Sequence, residues 1–286
     1  MGRPMNITIE PTNTCNLRCP VCETGSGELG RTSRHMTLAE FKTIIGKISS
    51  HTNTLMFYFM GEPFLNSEAY KMIRAAKEAG IPWVTACTNG EMVDPEGLVM
   101  SGINEVNFQI GGMTQETYRI YRVNGSLNRA LCNLRETIRL KRERAANLRV
   151  ACGMILMRHN EHETEIFRRT MDEIGIDEAT IVDPCVRTLA QGAFYLPSDE
   201  RHWYYDPAAF RAGALRPRLA PKNACNWLYY SMVIHANGDV VPCCRDTKGR
   251  HIMGNLLSQD LKDIWNGERY RSFRRKLLAE IGRAHV

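Results

Sequence analysis

Three closely spaced cysteines constrain this chain more than any other feature of its sequence. Cys15, Cys19 and Cys22 lie in the segment PTNTCNLRCPVC with the spacing C-x3-C-x2-C, just after an apolar run at residues 5–9 that predicts a β-strand. Three thiolates in one loop can hold a single inorganic centre, and cysteine thiolates are the usual ligands of iron–sulfur clusters. In a four-iron cluster, three cysteines leave one iron open to another molecule.

A zinc knuckle and a disulfide framework are weaker interpretations of these cysteines. A zinc knuckle needs a fourth ligand close in the sequence, and the nearest histidine, His35, lies well beyond Cys22 just before a predicted helix. A disulfide framework does not suit an odd cluster of cysteines in a chain without a secretion signal. The ten cysteines therefore indicate a reducing compartment, where thiols bind metals.

The composition is that of a globular protein. Of the 286 residues, 43% are hydrophobic and 24% are charged, which argues against disorder. No apolar run approaches the roughly 18 residues of a membrane helix, and the N-terminal sequence lacks a signal-peptide core. A net charge of +6 does not indicate nucleic acid as a partner. We therefore expect a cytoplasmic protein without a membrane segment.

Strand and helix patterns alternate through the first two thirds of the chain. Thr37 and Glu40 predict a capping box at the first long helix. Strands that alternate with helices imply a parallel α/β domain. The predicted strands are residues 5–9, 54–60, 83–87, 105–110, 149–157 and 178–182, and the predicted helices are residues 38–49, 67–79, 95–100, 127–144 and 161–174.

Gly61, Glu62 and Pro63 follow the second predicted strand directly. In a parallel α/β domain the carboxyl ends of the strands form the ligand-binding edge, so this tripeptide and the cysteine loop are expected at the same edge. A carboxylate is the natural partner of an ammonium group, and a glycine allows close approach of a ligand to the backbone.

The cysteine spacing, with Asn16 and Leu17 inside it, and the Gly-Glu-Pro tripeptide together resemble the radical S-adenosylmethionine (radical SAM) enzymes. The resemblance implies an incomplete (β/α)6 TIM-like barrel and a [4Fe–4S] cluster whose open iron is chelated by the amino and carboxylate groups of S-adenosylmethionine. It also implies that Gly61, Glu62 and Pro63 bind the methionine amino group. The cofactor pair would produce a 5′-deoxyadenosyl radical that abstracts hydrogen from an unactivated C–H bond.

The resemblance suggests three further cofactor contacts. Gln109 can donate to a ribose hydroxyl, although related sequences often have Ser there and Asp at position 111, which is Gly in this chain. Arg122 is a candidate for the cofactor carboxylate or, alternatively, an exposed arginine at a helix end. Asn160 can reach the cofactor or can cap the following helix. A nearby group is expected to be exposed at that helix start, namely His159, His162, Glu163 and Glu165.

The C-terminal part of the chain resembles SPASM and twitch modules, which hold auxiliary [4Fe–4S] clusters. The resemblance rests on the spacing of Cys225, Gly238 and Cys243, on a predicted hairpin turn at Asn237-Gly238, and on a helical tail. The neighbouring Cys244 is either a hydrogen-atom donor to a substrate radical or a buried thiol that packs beside the cluster.

The sequence thus divides into a radical SAM core at residues 1–185, a bridging segment at 186–224 and a SPASM/twitch-like module at 225–280. The module resembled here usually carries further cysteines after its helical tail, so we expect the native protein to continue past residue 280 with at least two more. Residues 281–286 do not continue the helical pattern and are expected to be a non-native tail.

The expected function is oxidation or epimerisation of a small or carbohydrate-like substrate, with flavodoxin or ferredoxin as reductant. The first strand is predicted to begin by about residue 5, so we expect no leader-binding module before it, which favours the small substrate. Two alternatives stay open, a peptide-modifying maturase and a non-catalytic iron–sulfur electron carrier. A basic helix face is interpreted as solvated or, less simply, as a surface for an electrostatic partner; it comprises Arg135, Arg139, Lys141, Arg142 and Arg144.

Overall fold

A single sheet runs through the molecule. The computed structural model describes residues 2–219 and 225–279. Within these residues the strand order is β6-β5-β4-β3-β2-β1-β7-β8-β9. The strands are β1 (Asn6–Ile9), β2 (Thr54–Met56), β3 (Trp83–Thr88), β4 (Glu105–Gln109), β5 (Arg149–Ile155), β6 (Glu178–Val182), β7 (Ser231–Ile234), β8 (Asp239–Val241) and β9 (Gly254–Asn255).

Strands β1 to β6 pair in parallel and in sequence order. This is the strand arrangement of an open (β/α) barrel, and it confirms the fold expected from the sequence. Strand β2 is shorter than predicted, because the chain leaves regular pairing after Met56 to form the loop that carries Gly61. The Phe57 amide still donates to the Thr85 carbonyl at 2.7 Å.

The helices are α1 (Glu23–Ser26), α2 (Leu38–Ile48), α3 (Ala69–Glu78), α4 (Pro95–Met100), α5 (Gln115–Tyr121), α6 (Leu127–Glu143), α7 (Thr164–Ile174), α8 (Leu189–Tyr195), α9 (Pro207–Arg211), α10 (Trp227–Tyr230), α11 (Leu261–Trp265) and α12 (Glu268–Ala279). Short 3-10 helices occur at Ser49–His51, Pro63–Leu65, Glu161–Glu163 and Glu200–His202. The predicted capping box at α2 is present, with the Thr37 hydroxyl accepting from the Glu40 amide and the Glu40 carboxylate accepting from the Thr37 amide.

The main core lies between the sheet and the long helices. Amphipathic helices such as α2 and α7 turn their apolar face to the sheet, so that Phe41 and Phe167 are fully buried against it. Burial of such a side chain stabilises the fold by about 1.5–3 kcal/mol. The strand residues that face these helices are equally buried, for example Ile7, Leu55 and Val106.

A second hydrophobic cluster covers the cysteine loop. Its members come from the loop, from the rim of the barrel and from the segment at 186–205, and they are Leu17, Cys19, Val21, Tyr121, Met157, Val186, Tyr195, Leu196, Trp203 and Tyr205. The sequence predicted only a bridge in this segment. Helices as short as α8 and α9 do not show a full apolar period, so periodicity could not reveal this packing.

The C-terminal hairpin extends the core sheet. Strand β7 pairs in parallel with β1, from Asn6 opposite Ser231 to Ile9 opposite Ile234, and β8 and β9 follow in antiparallel pairing. The Trp265 indole donates to the Gly2 carbonyl at 2.7 Å, which ties α11 to the start of the chain. The SPASM-like part is therefore hydrogen-bonded to the first strand of the core.

Two segments discussed from the sequence lie wholly or partly outside the residues that the structure describes. The expected non-native tail at 281–286 lies beyond the described residues, as does the end of the bridging segment at 220–224. In the part of the chain that the structure describes, no helix has the length and apolar character needed to cross a membrane.

Candidate cofactor site

The three cysteines of the loop lie between β1 and α1 as free thiols. Cys19 is buried, and Cys15 and Cys22 are half-buried. Burial, together with the nearby charges of Glu62, Cys19 and Cys22, raises the pKa of the Cys15 thiol to about 12, against the opposing effect of the Leu17 amide. A raised pKa means that forming the Cys15 thiolate is costly in the cluster-free protein. Metal binding deprotonates thiols, and the positive charge of the irons in a cluster would offset this cost.

Hydrogen-bond donors point at two of the sulfurs. The Leu17 amide lies 3.4 Å from Cys15 Sγ, and Asn89 Nδ2 lies 3.9 Å from the same atom. Arg122 Nη1 lies 3.7 Å from Cys19 Sγ. Donors to cysteine sulfur stabilise thiolate ligands and set the reduction potential of iron–sulfur clusters, so this loop has the surroundings of a cluster site.

The geometry separates a cluster from a single metal ion. Among residues 2–219 and 225–279, no three His, Cys, Asp or Glu side chains converge closely enough to hold one ion. In a four-iron cluster each cysteine binds a different iron, so the sulfurs need not meet at one point. The described residues therefore do not form the tetrahedral set of a zinc knuckle. Their fit to a cluster rests on the three free thiols of the loop and on the donors to the sulfurs of Cys15 and Cys19.

Gly61 brings the Gly-Glu-Pro loop into direct contact with the cysteine loop. Its φ is +96°, and a Cβ at this position would lie 2.6 Å from the carbonyl oxygens of Thr12 and Thr14. The next amide, of Glu62, donates to the Thr14 carbonyl at 2.8 Å. Only glycine permits both the backbone angle and the close approach, and the result places Glu62 beside the cysteine loop.

The Glu62 carboxylate is 2% exposed and accepts three hydrogen bonds. The donors are the Thr88 hydroxyl at 2.7 Å, the Asn89 amide at 2.8 Å and the Phe64 amide at 3.3 Å. Burial raises the pKa of Glu62 to about 7, against the opposing effect of these donors and of Arg122. Such a carboxylate is poised to gain its charge when a cation binds next to it.

Arg122 is not the exposed helix-end arginine that the sequence left open. Its Nε is buried and has no hydrogen-bond partner in the described part of the chain. Its side chain crosses position 111, where a Cβ on Gly111 would lie 2.8 Å from Arg122 Cγ. The glycine that departs from the family pattern therefore makes room for Arg122, and the unpaired Nε fits an oxyanion such as a cofactor carboxylate.

Gln109 and Asn160 occupy the same rim. Gln109 lies over Gly153 of the neighbouring strand and donates to Asn107 Oδ1 at 2.7 Å. Asn160 is buried and forms no capping bond to the helix that follows. Instead it accepts from the Met157 amide and donates to the carbonyls of Gly111 and Ile155, so it joins two strand ends.

The expectation that the group at 159–165 is exposed is wrong for Glu163. Glu163 is 1% exposed, and its carboxylate accepts from the Met113 amide at 2.7 Å. Both ring nitrogens of His159 are buried without a partner among the described residues. The start of this helix therefore packs against the loop after β4. The acidic composition of the segment instead predicts a solvent-exposed helix start.

The C-terminal cysteines lie near one another. Cys225 and Cys243 are half-buried, and burial raises the pKa of Cys243, with further contributions from the charges of Cys244 and Cys225. Cys244 is exposed, so the interpretation of it as a buried packing thiol is wrong. Gly238 has a φ of +84° at the hairpin turn, as the Asn-Gly signal predicts.

Sequence reasoning missed Glu10. This carboxylate is completely buried and accepts from both terminal nitrogens of Arg31, at 2.8 and 2.6 Å. It also accepts from the amides of Ala236 at 3.0 Å and Met60 at 3.3 Å. A glutamate between an apolar strand and the cysteine loop was the available signal, since a charge at such a buried position needs partners.

Three of the five cations on the basic face of α6 are paired with carboxylates of this chain. Arg139 bonds to Glu136 and Glu143, Lys141 to Asp177 and Arg144 to Glu96. These pairs support a solvated helix face and weaken the alternative of an electrostatic partner.

Comparison with known proteins identifies the class. The family model of the radical SAM superfamily matches residues 9–170, more than half of the chain, and the model of the SPASM iron–sulfur cluster-binding domain matches residues 225–283. The chain belongs to the radical SAM superfamily and carries a SPASM region. The family and its SPASM region imply [4Fe–4S] clusters and S-adenosylmethionine as cofactors.

Individual relatives are distant. A probable GTP 3′,8-cyclase from Methanocaldococcus jannaschii is 28% identical over 136 residues, which are 46% of this chain and 45% of that protein. The chain spans about half the length of the curated relatives it matches.

Two solved structures show a similar fold. BtrN in complex with AdoMet and 2-DOIA is 17% identical, with a TM-score of 0.57 over 96% of this chain and 87% of that one. Streptococcus suis SuiB bound to the precursor peptide SuiA is 15% identical, with a TM-score of 0.70 over 96% of this chain and 67% of that one.

Proposed function

We propose that this protein is a radical SAM enzyme that reductively cleaves S-adenosylmethionine and uses the resulting 5′-deoxyadenosyl radical to abstract hydrogen from an unactivated C–H bond. One observation carries the proposal: Gly61 packs against Thr12 and Thr14 and so sets a buried carboxylate, Glu62, beside the cysteine loop. The cluster and S-adenosylmethionine supply the radical chemistry when bound.

The chain's own residues hold and orient that cofactor pair. Cys15, Cys19 and Cys22 hold the cluster, while Glu62 receives the methionine ammonium group. The unpaired Nε of Arg122, next to Cys19, supplies a donor for the methionine carboxylate. Glu62 and Arg122 carry opposite charges, and they match the ammonium and carboxylate groups of the methionine part of the cofactor. This match supports the assignment.

Gln109 and Asn160 are assigned to the nucleoside part of the cofactor. Gln109 is half-buried, and its side chain already donates to Asn107. Both donors of Asn160 are used by backbone carbonyls, so a ribose hydroxyl would bond to its oxygen. Pro63 begins the short helix Pro63–Leu65 and fixes the direction in which Glu62 leaves the loop.

In the C-terminal region we propose Cys225 and Cys243 as ligands of an auxiliary [4Fe–4S] cluster. The effect of the Cys225 charge on the pKa of Cys243 supports their proximity. We also propose a division into a core at 1–185, a bridging segment at 186–224 and a SPASM/twitch-like module from 225. The packing of the bridging segment over the cysteine loop gives that segment a shielding role.

The preferred substrate is a small or carbohydrate-like molecule that is oxidised or epimerised. The likeness to BtrN, crystallised with 2-DOIA, supports a small molecule. The likeness to SuiB, crystallised with a precursor peptide, supports the second candidate, a peptide-modifying enzyme. A reductant protein such as flavodoxin or ferredoxin would supply the electron.

The test is anaerobic assay for 5′-deoxyadenosine and methionine after cluster reconstitution and reduction. The wild type should form both products, and Glu62→Gln should form them much more slowly at equal iron content. A fully reconstituted wild type without turnover would favour the alternative of a non-catalytic electron carrier, which has no use for Glu62 or Arg122.

Cys244 is proposed as the hydrogen-atom donor if the reaction is an epimerisation. Its exposure is compatible with contact to a substrate. In D2O, wild-type product should gain solvent deuterium and Cys244→Ala should lose turnover. Product without deuterium, or normal turnover by the variant, would remove Cys244 from the mechanism.

A further inference from the structure

A cavity of about 250 Å³ lies between the end of the cysteine loop and the C-terminal hairpin. One wall comes from Glu23 in α1 and from Arg187 after β6. The opposite wall follows the chain from the end of β8 through the loop before β9, and includes Cys243. The cavity therefore borders both cysteine regions, because Glu23 directly follows Cys22.

The walls of this cavity are rich in cations. Basic side chains are contributed by Arg187, Arg245, Lys248 and Arg250, and His251 adds an imidazole. Such a concentration of like charge in one concavity creates a positive potential that favours an anion.

The two carboxylates of the cavity are already engaged. Glu23 pairs with Arg187 at 3.1 Å. Asp246 is buried and accepts from the backbone amides of Arg250 at 2.8 Å and His251 at 2.7 Å. Neither carboxylate is paired with the side chain of Arg245, Lys248 or Arg250.

Three of the cations around the cavity have no carboxylate partner among the described residues. Within the described ranges, Arg245, Lys248 and Arg250 have no ion pair, whereas Arg139, Lys141, Arg144 and others are matched with carboxylates. Three unmatched cations around one cavity keep their hydrogen-bond donors available.

We propose that this cavity binds a phosphate group of the substrate. The inference rests on the proposed function and narrows its substrate class to phosphorylated small molecules. A phosphate dianion accepts several charge-assisted hydrogen bonds from arginine and lysine, and three cations match its charge better than that of a single carboxylate. A concave site of this size suits one such group and the atoms next to it, whereas a protein partner would need a broader surface.

The experiment measures binding of inorganic pyrophosphate, inorganic phosphate and succinate by calorimetry at physiological salt, where exposed charges are largely screened. It uses the full chain, reconstituted and cluster-free. The test variant is Arg245→Gln/Lys248→Gln/Arg250→Gln. The matched control is Lys42→Gln/Lys71→Gln/Arg74→Gln, which removes the same charge from exposed sites on α2 and α3 outside the cavity.

We expect saturable binding of pyrophosphate by the wild type, weaker binding of succinate, and a loss of about tenfold or more in affinity in the test variant, which is about 1.4 kcal/mol. The control should bind like the wild type. Thermal melting of both variants shows whether they fold.

Four results would overturn the proposal, and the first three concern whether and where the anion binds. These are absence of saturable binding, equal weakening in both triple variants, and binding that disappears on reconstitution, which would assign the cavity to the cluster. Stronger binding of succinate than of pyrophosphate would replace the phosphate with a carboxylate and also refute it. Failure of the proposed function would show itself separately, as wild-type protein that forms no 5′-deoxyadenosine.

Discussion

Glu10, which is fully buried, forms an ion pair with the partly exposed Arg31 that joins the end of β1 to the segment after the cysteine loop. The same carboxylate accepts from the amides of Met60, next to Gly61, and of Ala236, in the C-terminal hairpin. One side chain thus connects three parts of the site: the cysteine loop, the Gly-Glu-Pro loop and the hairpin. Its position explains how a region distant in sequence is held against the cofactor loops.

Removal of the Glu10 carboxylate should destabilise the protein strongly. Glu10→Ala removes the partner of the Arg31 guanidinium, whose side chain is 15% exposed. It also leaves the amides of Met60 and Ala236 without their acceptor, and together these losses cost up to about 3–5 kcal/mol. Urea unfolding of the cluster-free protein measures the change, and Glu10→Gln, which keeps the shape, should cost less. Arg201→Ala breaks the exposed pair with Asp199 and serves as the control, with little change expected. If Glu10→Ala were as stable as that control, the Glu10 carboxylate would not be needed to hold the three parts of the site together.

Gly61→Ala should damage the site beyond the cost of its backbone angle. A non-glycine residue at positive φ costs on the order of 1–3 kcal/mol, and here the Cβ would also meet the carbonyls of Thr12 and Thr14 at 2.6 Å. Gly80→Ala is the matched control, because its φ is +85° and nothing lies within 4 Å of its Cβ. Both variants should lose stability, but only Gly61→Ala should lose affinity for S-adenosylmethionine. Equal affinities in the two variants would mean that the contact between the loops is not required.

The sequence was most informative where local chemistry decides the structure. The capping box of Thr37 and Glu40 and the turn at Gly238 are determined by nearby residues and appear as predicted. The six parallel strands are also present, although β2 and β5 end earlier than predicted. The cysteine loop and the Gly-Glu-Pro loop meet because parallel strands end at one edge of the sheet.

The rest depended on contacts between distant segments. Pairing of β7 with β1 joins residues more than 200 positions apart, and no local pattern specifies it. The buried state of Glu10 and Glu163 likewise depends on amides donated from other loops. Arg122 was ambiguous for the same reason, since only the fold shows that Gly111 makes room for it.

Stability of the ligand-free protein should fall as pH rises from about 4.5 to about 7, because Glu62 loses its proton in the unfolded state before it does so in the folded state. Burial raises the folded pKa from the ordinary 4.5 to about 7, so in this window the folded state keeps a proton that the unfolded state has lost. The resulting loss in the free energy of unfolding is absent below the pKa of Glu62 in the unfolded state. It is complete above the pKa of Glu62 in the folded state, where it amounts to roughly 3 kcal/mol. Unfolding free energies across this range should show the slope in wild type and a smaller one in Glu62→Gln.

The same titration predicts how the cofactor binds. A methionine ammonium group needs the charged carboxylate, so affinity for S-adenosylmethionine should increase with pH until Glu62 is ionised, and Glu62→Gln should lack this increase. A wild type and a variant with identical pH profiles would show that another group is responsible.

Arg122→Gln should make Cys19 less reactive in the cluster-free protein. Burial raises the pKa of Cys19, whereas the charge and the hydrogen bond of Arg122 lower it. Without the guanidinium the pKa should rise further and the thiolate fraction should fall, so alkylation by iodoacetamide should slow severalfold. Mass spectrometry of the modified peptides measures the rate, and the exposed Cys132 provides the internal control. Unchanged or faster labelling of Cys19 alone would show that Arg122 does not support the thiolate.

Trp203→Ala should open the cover of the cysteine loop. Trp203 is 8% exposed, belongs to the hydrophobic cluster that contains Leu17 and Cys19, and donates from its indole to the Pro197 carbonyl at 2.8 Å. Its truncation should cost about 3–5 kcal/mol if the cavity does not collapse. Water and reagents would then reach Cys19, so its alkylation should accelerate severalfold in the cluster-free protein.

In the reconstituted protein the same truncation should hasten loss of the iron–sulfur absorbance in air, because the hydrophobic shell of a metal site limits solvent access. Trp83→Ala is the control, since Trp83 is 41% exposed and lies outside this cluster. To distinguish loss of the cover from general destabilisation, the alkylation rate of Cys19 is measured for both variants in urea at concentrations below the unfolding transition. Alkylation of the exposed Cys132 in the same samples controls for the activity of the reagent. If Cys19 reacts at the same rate in both variants, the segment at 186–205 does not protect the loop, and its aromatic residues serve packing alone.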